Sequence, residues 1–76
     1  MDIMEKRKLR LIVHKHGGVL SNKSDHFLDG KEYEYEAIFN SDEEIEDCLL
    51  ELNASKSDST YIEGYLTCFF SLSVID

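Results

Sequence analysis

Ser41-Asp42-Glu43-Glu44 constrains this chain more than any other stretch, because it is a complete start signal for a helix. The serine oxygen can accept from an orphan backbone N–H of the first turn, and the glutamate three residues on can reach back to the entering chain. Ile45, Cys48, Leu49 and Leu52 then recur at the spacing of one buried helical stripe, and the helix is expected to fray between Asn53 and Ser55. A helix with a single apolar stripe must lie on another layer, and the flanking sequence supplies alternating stretches that read as strands.

The first of these runs from Lys8 to His16, with Leu9, Leu11 and Val13 on one side and Arg10, Ile12 and His14 on the other. That alternation predicts a half-buried strand, turned at Gly17-Gly18 into a short return strand at Val19-Leu20. Ser21 to Asp25 has loop chemistry, and Asp29-Gly30 predicts a second tight turn. The strand leaving that turn, Glu32 to Phe39, places Tyr33, Tyr35, Ala37 and Phe39 on one face and Glu32, Glu34 and Glu36 on the other. After a polar loop from Ser55 to Ser59, residues Tyr61 to Ile75 alternate again. Ile62, Leu66, Cys68, Phe70, Leu72 and Val74 share the apolar side, opposite Tyr65, Thr67, Phe69, Ser71 and Ser73. That is long for one strand, so Gly64 marks a bend, a bulge or the start of a second strand.

The expected architecture is α+β: one domain over residues 1–76, with a small antiparallel sheet of three to five strands and one helix packed on it. A domain this small buries only about 60% of the surface its unfolded chain exposes, which favours a homodimer, and a long apolar last strand at a sheet edge would invite pairing with a second copy. Cys48 and Cys68 fall on apolar faces and are expected to be reduced and buried. With no visible targeting or membrane segment, that cysteine pattern points to the cytoplasm.

Charge is spread unevenly. Residues 1–24 hold six basic and two acidic groups, whereas residues 25–63 hold thirteen acidic and two basic ones; the whole chain carries a formal charge of -8. Glu32, Glu34 and Glu36 are expected to point one way at intervals of ~6.6 Å along their strand. Glu43, Asp47 and Glu51 would stack in a second row, about 6 Å apart, along the helix. No Lys or Arg interrupts Glu32 to Ser55, although an ordinary exposed helix interleaves them. The like-charged pairs Asp42 with Glu46, Glu43 with Asp47, and Asp47 with Glu51 cost about 0.2–0.5 kcal/mol each. Burial of the apolar stripe offsets that cost, so the fold tolerates the repulsion and a basic partner would relieve it. Leu50, beside the acidic side of the helix, and Tyr65 and Phe69, opposite the core face of the last strand, are candidate anchors for such a partner.

Catalysis and cofactors are not expected. His14, His16 and His26 are a weak metal signal, no Gly-x-Ser-x-Gly elbow or phosphate-binding glycine loop occurs, and nothing predicts an enclosed pocket that would raise a carboxyl pKa. Lys6, Arg7, Lys8, Arg10 and Lys15 offer local attraction to nucleic acid, which the overall negative charge opposes, as it opposes anionic membranes.

The run Asp29-Gly30-Lys31-Glu32-Tyr33-Glu34-Tyr35-Glu36, joined to Asp42-Glu43-Glu44 and Glu46-Asp47, resembles the small acidic inhibitors that bacteriophages encode against host DNA-binding proteins. Inhibitors of uracil-DNA glycosylase and of HU-type nucleoid proteins belong to that class. The resemblance is one of size, charge and layout over Asp29 to Glu63, and the basic first stretch departs from it. It implies a DNA mimic in which Glu32, Glu34, Glu36, Glu43, Asp47 and Glu51 take the place of phosphates on a basic DNA-binding protein of the host cytoplasm. The alternative expectation is an immunity-type or structural interaction module whose partner does not bind DNA.

Overall fold

The computed structural model describes residues 6–22 and 26–72 and has an α+β fold with two helices, a four-stranded antiparallel sheet and a two-stranded sheet. In chain order the elements are α1 (Lys6–Lys15), β1 (Val19–Leu20), β2 (Phe27–Leu28), β3 (Lys31–Glu32), β4 (Tyr35–Phe39), α2 (Asp42–Leu52), β5 (Ala54–Ile62) and β6 (Tyr65–Leu72). The expected end of the loop at residues 23–25, and the expected strand residues Ser73, Val74 and Ile75, lie outside the described residues.

Helix α2 forms where its start signal predicts. Ser41 is extended and its Oγ accepts from the Glu44 N–H at 3.3 Å. Glu44 Oε1 in turn accepts from the N–H of Asn40 at 2.8 Å, so the box closes on the residue before the serine. Ile45, Cys48 and Leu52 are buried, with Leu49 packed beside them. Asn53 ends the helix in the left-handed region at φ 56, and its N–H reaches the Leu49 and Leu50 carbonyls.

The first stretch is a helix, α1, and not the strand its alternation predicts. Leu9 and Val13 are four residues apart, a spacing that serves both a period of two and a period near 3.6, so their burial does not discriminate. Leu11 does: a strand would bury it with its neighbours, whereas here it is 62% exposed while Leu9 and Val13 are fully buried. The glycine pair serves a helix end as well as a hairpin. Gly17, at φ +88, donates its N–H to the His14 carbonyl at 2.9 Å, and Gly18 donates to Val13 at 2.9 Å. Those two bonds satisfy carbonyls of the last turn in a Schellman cap. Gly18 also lies against the Phe39 ring, where an added Cβ would sit 2.6 Å from a ring carbon.

The main sheet has the order β1-β4-β6-β5, every pair antiparallel. The long C-terminal alternation is divided by a two-residue turn at Glu63 and Gly64, whose φ values of 52 and 86 join Ile62 to Tyr65. Residues Ser55 to Ser59, expected as a loop, belong to the edge strand β5, with a bulge between Ala54 and Lys56. Their polar composition suits an edge that must not pair with other chains. The apolar strand β6 is flanked by β4 and β5, which removes the exposed apolar edge on which strand-to-strand dimerisation was expected. The turn at Asp29-Gly30 forms as expected, but it joins β2 to β3 in a separate small hairpin.

Register fixes two faces. Leu20, Ala37 and Cys68 stand in one cross-strand row, with Phe39 and Leu66, and Tyr35 and Phe70, in the rows beside it. These side chains meet Leu9 and Val13 of α1 and Ile45, Cys48 and Leu52 of α2 in the core. On the opposite face, the segment carrying the small hairpin brings Tyr33 to 6.0 Å from Phe69, centroid to centroid, and His26 to Glu36. Phe69 is therefore buried on the second face, not exposed as an anchor.

Candidate protein-binding surface

The three strand glutamates do not form a row. Glu32 belongs to β3, Glu34 to the connection that follows, and Glu36 alone lies in β4. The chain leaves the small hairpin and turns into the main sheet between them, so the period of two does not run through all three. Glu32 and Glu34 are exposed, and Glu34 Oε1 accepts from the Leu72 N–H at 3.0 Å. Glu36 is buried, its Oε1 3.2 Å from His26 Nδ1. A partner that leaves the hairpin in place cannot reach it.

The helical row does exist. Glu43, Asp47 and Glu51 are all exposed on α2 at successive turns, although Glu51 is occupied at the far end. Lys15 Nζ and His16 Nε2, where α1 ends, each lie 2.8 Å from its carboxylate oxygens. The hydrogen bond from Lys15, and then that from His16, hold the Glu51 carboxyl below its ordinary pKa. Asp42, Glu43, Glu46 and Asp47 have no ion pair among the described residues.

Glu46 was not among the expected contact residues, yet it has a central place. It lines an open hollow with Leu49, Leu50, Asn53 and Ala54, and Leu50 is 79% exposed there. Its position is legible in sequence once the helix is drawn as a wheel, since Leu50 lies about 200° round from the buried Cys48 and Glu43, Glu46 and Asp47 flank it. A second shallow depression, between Glu32, Glu34, Lys56, Tyr33 and Tyr35, holds Lys56 Nζ at 5.0 Å from the centre of the Tyr33 ring.

Basic side chains gather on α1, which packs against α2 through the core and the Glu51 contact. His14 is exposed, His16 binds Glu51 and His26 binds Glu36, and among the described residues no group of three or more His, Cys, Asp or Glu could hold a metal ion. No described helix is long and apolar enough to cross a membrane. Set against protein-family models, curated proteins and solved structures, the chain matches none of them.

Proposed function

We propose that this protein is a non-enzymatic DNA mimic whose α2 face occupies the basic DNA-binding surface of another protein and competes there with DNA. The observation that carries the reading is the composition of α2: six acidic residues and no basic one along the helix, with Asp42, Glu43, Glu46 and Asp47 exposed and unpaired among the described residues. Fixed carboxylates on a helix attract Lys and Arg without the entropy cost of ordering a flexible acidic tail. Leu50 and the hollow beside it supply the apolar contact that holds register once charge has brought the two surfaces together.

The test is capture from a bacterial lysate at about 0.05 M and 0.15 M salt, followed by competition with duplex DNA. Captured proteins should bind DNA by themselves, and added duplex should release them. Partners that lack DNA binding, held just as well in the presence of duplex, would assign the surface to an interaction module of another kind.

A further inference from the structure

We propose that this protein self-associates head to tail, the outer face of α1 in one copy docking on the outer face of α2 in the next. The proposal goes beyond the reading above and does not depend on it, because it concerns the protein alone.

The two faces are built alike with opposite sign. Leu11 is 62% exposed, about 200° round α1 from the buried Leu9, and its helical neighbours three and four residues away on either side are Arg7, Lys8, His14 and Lys15. Leu50 is 79% exposed, equally far round α2 from the buried Cys48, and the corresponding neighbours are Glu46, Asp47, Asn53 and Ala54. One helix therefore presents a leucine ringed by basic side chains, and the other a leucine beside an apolar hollow rimmed by carboxylates. Over its ten residues α1 holds five Lys and Arg and no acid; over its eleven α2 holds six acids and no Lys or Arg. Lys15 is engaged with Glu51 of its own chain, which leaves Arg7 and Lys8 without an ion pair among the described residues to meet Glu46 and Asp47 of a neighbour.

Complementary charge selects a second copy as the occupant. The net charge of -8 repels identical molecules at a distance, but at 0.15 M salt that repulsion is screened beyond about 8 Å, while pairs in contact persist. Since the two faces differ, each docked copy keeps one of each free, and association continues past the dimer unless the rotation closes a ring.

Sedimentation of the full chain at about 0.15 M salt, up to about 1 mM, reads the result. The average mass should rise with concentration. Arg7→Gln with Lys8→Gln and Leu11→Gln disables the basic face; Glu46→Gln with Asp47→Asn and Leu50→Gln disables the acidic one. All six positions are exposed and outside the core, so circular dichroism should show native folds, and Leu11→Gln and Leu50→Gln alone serve if a triple variant does not fold. Each variant by itself should associate at least about tenfold more weakly than the natural chain. Mixed, the two keep one intact joint between them and should form a 1:1 dimer that grows no further. A natural chain that stays monomeric throughout, variants that associate as it does, or a mixture that stays monomeric would overturn the proposal. So would association that survives both helix variants and is lost with Ile38→Glu, which would move the interface to the second face of the sheet.

Discussion

His26 and Glu36 meet at 3.2 Å, Nδ1 to Oε1, on the face of the sheet that turns away from the helices, and both side chains are less than one-tenth exposed. The contact ties the segment before β2 to the middle of β4, so one glutamate of an otherwise acidic surface has a structural role. Removing one partner of such a pair leaves the other buried without its complement. Glu36→Gln should therefore destabilise the protein by about 1–3 kcal/mol in urea unfolding. His26→Leu combined with Glu36→Met should recover part of that loss, since the two members of the pair are removed together. A Glu36→Gln protein as stable as the natural one would place the anchor of the hairpin elsewhere.

Gly18 lies so close to Phe39 that an added methyl group would have to displace a core ring. Gly18→Ala should cost about 1–3 kcal/mol, read from the midpoint of denaturant unfolding, with the helix content retained. At Gly17 the nearest atoms belong to the flexible Glu44 side chain, but φ +88 penalises any Cβ, so Gly17→Ala should also destabilise.

Glu51 gives a pH dependence of known sign. Its carboxyl in the folded state is held below the ordinary value of 4.5, chiefly by the hydrogen bond from Lys15, so the unfolded chain takes up a proton first as pH falls. The contribution of the contact is complete above pH 4.5 and disappears as pH drops through the lowered folded value. Glu51→Gln should thus narrow the gap between unfolding midpoints at about pH 6 and pH 3, compared with the natural chain. An unchanged gap would mean that the contact has no weight in solution.

Cys48 and Cys68 are both buried and free, and burial pushes their thiols up to about 11 and about 12. Thiolate is the reactive form, so native protein at neutral pH should resist iodoacetamide and become labelled only on unfolding. Above the ordinary thiol value of 9.0 the unfolded chain ionises while the native thiols stay protonated, and stability should fall as pH rises from there towards 11. Rapid labelling of either cysteine in the native state would contradict the packing described.

The parts of the fold legible in sequence are those with a signal of their own. Ser41 and Glu44 announce α2, Asp29-Gly30 its hairpin, and Leu66, Cys68 and Phe70 the buried side of β6. Leu9 and Val13 misled because a spacing of four fits both periods, and only the exposure of Leu11 separates them. Residues Ser55 to Ser59 carry no strand signal, since an edge strand is held by its partner's ladder and not by its own side chains. The acidic helix row survived from sequence to structure because it depends on local geometry alone. The strand row did not, because it needed one unbroken strand across the junction from β3 to β4.

The central claim is that the carboxylates of α2 compete with DNA for a basic protein surface. Its most direct measurement is displacement of labelled duplex from a captured DNA-binding partner, comparing the natural chain with Glu43→Lys, Glu46→Lys and Asp47→Lys combined, at about 0.15 M salt. The natural chain should release the duplex, and the charge-reversed chain, still folded, should need at least about a hundredfold more protein to do so. Equal displacement by both, or none by the natural chain, would contradict the account.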